Sequence, residues 1–190
     1  QDIIKKYITI KNFYIFNIKK NNGYGFGIKN CIKKIAKKYD LICWTHADGQ
    51  TPISDVVRAY KIYLTKTNID LIKGIRISRK DGIVATIFTA VLNIFLTILL
   101  NRKSLSPNSQ PTLINSKYAN SILKFTEDDA NYDVSVMYLA NKLSLKTLRY
   151  PVEFKKRFYG EGANETFKQK LSYSIKILEF LLKKNFLLNK

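Results

Sequence analysis

Between Phe26 and Gly74 the apolar residues alternate between helical and strand spacing, and this alternation constrains the fold more than any other feature. Phe26–Tyr39 sets Ile28, Ile32, Ile35 and Ala36 on one helical face with lysines opposite. Leu41–Trp44 is a short apolar run of the kind found in buried strands. Ile53–Thr65 returns to helical spacing, and Ile69–Ile72 is a second buried strand ending at Lys73-Gly74. Upstream, Tyr7–Ile10 and Phe13–Asn17 are β-rich runs broken by Lys11-Asn12, and Asn21–Gly25 reads as a turn. The order βαβαβ predicts an α/β domain with a mostly parallel sheet flanked by helices.

Further along, Ile83–Leu100 is apolar except for Thr86, Thr89, Asn93 and Thr97. It touches the lower length limit for a membrane span, but those polar residues would be costly in lipid, so a buried or interfacial helix is expected. Asn101–Gln110 is a polar loop and Pro111–Ile114 a short extended piece. Tyr132–Leu143 predicts a helix introduced by acidic residues. Lys146–Phe154 reads as extended and broken by Pro151, and Gln169–Leu188 as an amphipathic helix.

The 190 residues suffice for one domain with its own core, and a hydrophobic fraction of 46% argues against disorder. With 33 Lys+Arg against 14 Asp+Glu the formal charge is +19, which favours anionic partners. The excess is mostly lysine scattered among Ile, Asn, Tyr and Phe, so it singles out no partner; nucleic acid is not the expected one. Cys31 and Cys43 fall in a helix and a strand pattern, and read as small buried apolar residues in a reducing cytoplasm rather than a disulfide. Gln1–Lys6 has neither an initiator Met nor a secretory apolar core, so a piece lacking upstream sequence is expected.

Four segments could carry chemistry. Asn22–Gly27 precedes a helix, where backbone amides can face an anion; tight packing of the glycines explains it equally well. Trp44-Thr45-His46-Ala47-Asp48-Gly49-Gln50-Thr51-Pro52 follows a strand, where α/β proteins bind ligands. His46 and Asp48 can hold a divalent cation and, through it, a phosphate. The same residues also suit a helix start, with Thr51 as cap and Pro52 at the first helical position. Lys73-Gly74-Ile75-Arg76-Ile77-Ser78-Arg79 brings cations to the next strand end, either for phosphate or as an ordinary basic loop. Glu127-Asp128-Asp129 through Asp133 places carboxylates where helix capping favours them and where one could also remove a proton.

In this order the segments resemble the inverting family 2 glycosyltransferases of the GT-A fold, and among them the bacterial branch similar to dolichol- and polyprenyl-phosphate sugar transferases. The likeness runs from about Asn21 to Asn164. Asn21-x-Gly23-Tyr24-Gly25 resembles the segment ahead of that family's metal motif, and His46-Ala47-Asp48 its DxD region. Lys73-Gly74-x-Arg76-x-x-Arg79, Asn108-Ser109-Gln110-Pro111 and the acidic segment have counterparts in the same order. Pro151-Val152-x-Phe154 with Arg157-x-x-Gly160-Glu161 resembles the last strand and its loop. The family's first strand, its Asn-Glu loop and its Asp-Asp-Gly-Ser turn have no counterpart here.

The resemblance implies a GT-A domain over 1–164, N-terminally incomplete, with a C-terminal amphipathic helix over 165–190. It implies transfer of a sugar from a nucleotide-diphosphate donor to a lipid-linked or glycan acceptor. Mg²⁺ or Mn²⁺ would be held by Asp48 with His46, and Asp129, or else Asp128, would be the base. Gly25, Gln50, Lys73, Arg76, Arg79, Gln110 and Arg157 would contact substrate. An enzyme of this kind would rest peripherally on the inner, anionic face of the cell membrane. Two other readings stand beside it: a truncated, inactive transferase, and a non-enzymatic basic module binding membrane or nucleic acid.

Overall fold

The computed structural model describes residues 12–79, 83–100, 106–155 and 166–188. Within them run α1 (Tyr24–Ile35), β1 (Leu41–Trp44), α2 (Ser54–Thr65), β2 (Leu71–Arg79) and α3 (Ile83–Leu100). They are followed by β3 (Thr112–Asn115), a 3-10 turn (Ser116–Tyr118), α4 (Ala119–Phe125), α5 (Tyr132–Lys142), β4 (Thr147–Phe154) and α6 (Phe167–Leu188).

The strands form one sheet in the order β1-β3-β2-β4. β1 and β2 each pair antiparallel with β3, and β2 pairs parallel with β4. Three strands therefore share one direction, as the alternating pattern predicts, with β3 reversed between two of them. The reversal follows from where α3 lies. A parallel return needs a crossover helix packed on the sheet, whereas Leu92 and Leu96 of α3 pack on α5 and α6. The chain re-enters the sheet at the end it left, where Gly74 N donates to Pro111 O.

Strand alternation sorts the core into two faces. Ile42, Trp44, Leu71 and Ile114 meet α1, α4 and α5 through Ile32, Ile122, Tyr132, Val136 and Met137. Ile72, Leu113, Tyr150 and Val152 face the other way, toward Ala59 of α2. α5 is buried on both sides, since Val134 and Tyr138 turn from the sheet to Leu92, Leu96, Ile177 and Leu181. Each such side chain contributes about 1.5–3 kcal/mol of burial.

Two expectations are corrected. Phe13–Asn17 forms no strand; the segment has no pairing partner among the described residues, and Phe13, Tyr14 and Ile15 are exposed. Pro151 does not break β4, because β4 is an edge strand and a proline there costs no ladder bond on its outer side. Among the described residues the sheet begins at Leu41; the strand expected at Tyr7–Ile10 lies outside them. Cys31 and Cys43 are free thiols, and burial pushes that of Cys43 up to about 12.

Candidate active site

The end of β1, the first residues of β2, which runs on to Arg79 rather than ending at Lys73-Gly74, the entry to β3 and the first turns of α1 and α5 converge on one carboxylate, Asp133. Its Oδ1 accepts from Trp44 Nε1 (3.4 Å), Lys73 Nζ (3.2 Å) and Gln110 Nε2 (2.9 Å). Its Oδ2 accepts from Tyr24 Oη (3.1 Å) and Gln110 Nε2 (2.8 Å). Thr112 closes the circuit, accepting from Lys73 Nζ (2.8 Å) and donating to Gln110 Oε1 (3.3 Å). Asp133, Lys73, Gln110 and Thr112 are all buried. Burial pulls the Lys73 ammonium down to about 8, while Asp133 pulls it back up. With five bonds arriving from four donors, Asp133 has no lone pair left for a substrate proton.

The network also places two residues expected to contact substrate. The side chains of Lys73 and Gln110 are buried and closed around Asp133. Gly74 is needed beside them, because a Cβ there would meet Gln110 O at 2.6 Å. Gln50 is buried too, its Nε2 donating to Lys155 O (3.2 Å) and its carbonyl accepting from Lys155 N (2.9 Å). It ties the turn after β1 to the end of β4.

His46 and Asp48 lie at the mouth of the network. The His46 ring sits 5.9 Å from that of Tyr24, centroid to centroid. Burial holds its pKa below the usual 6.5; Asp133 and Asp48 raise it, and Arg76 and Lys73 lower it again. The imidazole is therefore neutral near pH 7 and able to act as a metal ligand. Asp48 Oδ1 accepts from Gln50 N (3.1 Å), an Asx turn that fixes the carboxylate. Pro52 and Thr51 do not cap α2, which begins at Ser54 with no side-chain cap.

These residues fit a divalent cation of one kind. Among the described residues no three of His, Cys, Asp and Glu gather into a metal cage. A His-carboxylate pair is the donor set of an ion whose remaining positions are filled by water and substrate phosphate. Thr45 Oγ1, next to His46, is buried without a partner, so polar capacity remains at this point.

Arg76 stands at the rim, its guanidinium 3.7 Å above the Phe154 ring and donating to Asn108 O (2.9 Å). Arg79 closes β2 opposite Phe154, and Arg157 lies outside the described residues.

The acidic loop packs on α1. Gly25 N donates to Asp129 O (3.3 Å) and Phe26 N to Asp128 O (2.7 Å). A Cβ on Gly25 would sit 2.8 Å from Tyr132 Cβ. Gly25 therefore serves close packing, and these two amides are spent on the loop rather than on an anion. Asp128 is exposed and pairs with Lys29 (2.7 Å). Asp129, also exposed, accepts from Asn131 N (2.8 Å) and Asn131 Nδ2 (3.3 Å).

One residue of this site had no signal in the sequence. Tyr173 of α6 donates to Ala130 O (2.9 Å). Burial, then the charges of Asp133 and Asp129, push its phenol pKa up. Tyr173 thus ties α6 to the acidic loop.

No family model and no curated protein matches the sequence. Solved structures do match in fold. One is glucosyl-3-phosphoglycerate synthase from Mycobacterium tuberculosis in complex with Mn²⁺, uridine diphosphate and phosphoglyceric acid (TM-score 0.68, 13% identity). The match covers 88% of this chain and 56% of that one. The same synthase with phosphoglyceric acid matches at TM-score 0.64 and 16% identity, over 87% and 56%. A further mycobacterial protein matches at TM-score 0.61 and 15% identity, over 87% and 52%. The chain thus spans little more than half the length of these structures. At such identities the likeness is one of fold: a four-stranded sheet flanked by helices, shared with glycosyltransferases.

Proposed function

We propose that this chain forms the core of a glycosyltransferase that moves a sugar, with inversion, from a nucleotide-diphosphate donor to an acceptor hydroxyl. The observation that carries the reading is the pairing of a neutral His46 with a turn-fixed Asp48 at a strand end, beside Arg76, on a fold shared with nucleotide-sugar enzymes. The matched synthase holds Mn²⁺ and uridine diphosphate, which supports the same class of donor and ion here.

Asp48 and His46 would hold Mg²⁺ or Mn²⁺, which when bound supplies Lewis-acid stabilisation of the departing diphosphate. Arg76, braced by Phe154 and Asn108, adds positive charge on the same side, and Arg79 and Arg157 are further phosphate contacts. Asp129, with Asp128 as the alternative, takes the proton of the acceptor hydroxyl. Asp133 takes none; with Lys73, Gln110 and Tyr24 it fixes the strand ends. The acceptor is lipid-linked or a glycan, and the enzyme works peripherally at the inner, anionic face of the cell membrane.

Calorimetric titration with uridine diphosphate tests the donor reading. Binding is expected with Mn²⁺ present and lost in EDTA. Equal binding in EDTA would remove His46 and Asp48 from the donor site, and tighter binding to duplex DNA than to the nucleotide would replace the reading with a basic binding module.

A further inference from the structure

Helix α3 carries no charged residue over its 18 positions. Yet Ile83, Ile87, Val91, Ile94 and Ile98 point outward, each between 57% and 77% exposed. Steps of four, four, three and four put them on one face of the helix. The helix is not simply detached, because on its other face Leu92 and Leu96 pack with Val134, Tyr138, Ile177 and Leu181. An aliphatic stripe of this length on a well-anchored helix is an interaction surface.

Helix α6 extends it. Phe167, at its start, meets Phe88 of α3 with ring centroids 5.5 Å apart. The exposed residues of α6 include Phe167, Leu171, Ile175 and Leu182 among Lys168, Lys176 and Lys183. Apolar groups interleaved with lysines are the pattern of helices that lie in a membrane interface. We propose that α3 and α6 together form a face that docks on an anionic lipid bilayer, the α3 stripe entering the headgroup boundary and the α6 lysines meeting lipid charge.

Charge selects this occupant. A second copy of the chain would bring +19 against +19, whereas an anionic bilayer complements it, each surface lysine strengthening binding about fivefold. With its inner face committed to α5 and α6, α3 lies along the domain. Among the described residues no helix is long and apolar enough to cross a membrane. The inference deepens the membrane placement proposed above by naming the surface and the lipid charge it reads.

The test is co-sedimentation of the whole chain with vesicles, without sugar donor, so that its outcome is independent of the transfer chemistry. Binding is expected to vesicles of phosphatidylcholine and phosphatidylglycerol in equal parts, and to be much weaker with phosphatidylcholine alone. Ile87→Ser with Ile94→Ser should weaken binding at least about tenfold, the loss expected from removing two buried aliphatic groups. Lys176→Glu with Lys183→Glu should weaken binding to the anionic vesicles. All four positions are exposed, so unchanged circular dichroism is expected and separates lost docking from lost fold. Anionic-vesicle binding that survives both pairs of substitutions would overturn the assignment. So would a chain that ignores vesicles but dimerises through a contact that the two serines abolish.

Discussion

The ammonium of Lys73 lies 3.2 Å from a carboxylate oxygen of Asp133, and neither side chain reaches solvent, at 0% and 3% exposure. Two charges taken out of water together are tolerated because each finds additional hydrogen-bonding partners. Breaking a buried pair by removing one member costs about 3–5 kcal/mol, since the other charge is left uncompensated. Lys73→Met should therefore lower the unfolding free energy read from urea titration by an amount in that range. Adding Asp133→Asn should recover part of the loss, because the orphaned charge is gone. The indole N–H resonance of Trp44, the sole tryptophan, should move in both variants, since its acceptor is Asp133. Additive losses with a stationary indole signal would show that the pair and the network are not coupled.

His46 is the only histidine of the chain, so its titration can be followed by NMR without ambiguity. Burial dominates and lowers its pKa below 6.5. The unfolded chain then binds the proton more readily than the folded one. The stability held by the neutral ring is complete above about pH 6.5 and is lost as pH falls through the folded value. Asp133→Asn should lower the His46 midpoint further, because it removes a charge that favours the imidazolium. Arg76→Gln should raise it. The acid-side loss of stability should flatten in His46→Gln, as read by thermal melts between pH 7 and about pH 5.

Asp48→Asn separates metal binding from architecture. Asparagine keeps an oxygen for the Gln50 amide, so the turn after β1 should survive and the melting temperature should hardly move. Mn²⁺-dependent sugar transfer should disappear. Full transfer by this variant, or by the parent protein in EDTA, would show that Asp48 holds no ion.

How much of this was legible before the structure follows from what each feature depends on. α3 runs from Ile83 to Leu100 as its nearly continuous apolar pattern predicts, and α2 starts within one residue of expectation. Such elements are set by local periodicity. Phe13–Asn17 has strand-like residues but no partner strand among the described residues, and propensity without pairing makes no sheet. α4 is only seven residues long, too short for a periodic signal. His46 and Asp48 could be found because they follow a strand in sequence. Asp133 could not be separated from its acidic neighbours, because its four donors come from Tyr24, Trp44, Lys73 and Gln110, which only the fold brings together. The reversal of β3 was hidden for the same reason: it depends on where α3 packs, not on any residue of β3 itself.

The acidic loop offers the sharpest remaining discrimination, because its two exposed carboxylates have different partners. Asp128 is paired with Lys29, so Asp128→Asn should cost at most about 1 kcal/mol, the scale of a surface ion pair, and spare turnover. Asp129 accepts the amide and side chain of Asn131 just before α5, and an asparagine can keep at least the amide bond. If Asp129 only shapes the helix entrance, Asp129→Asn should be nearly silent, and Asp129→Ala should cost about 1 kcal/mol, as a lost cap does. If it removes the acceptor proton, Asp129→Asn should reduce turnover about 10²–10⁴-fold with the fold intact. We expect the second outcome for Asp129 and not for Asp128, measured as sugar transfer at saturating donor alongside a urea midpoint for each variant. A large loss in Asp128→Asn alone would move the base to that residue. Normal turnover in both would leave the loop as a helix start packed on α1, its carbonyls held by Gly25 and Phe26.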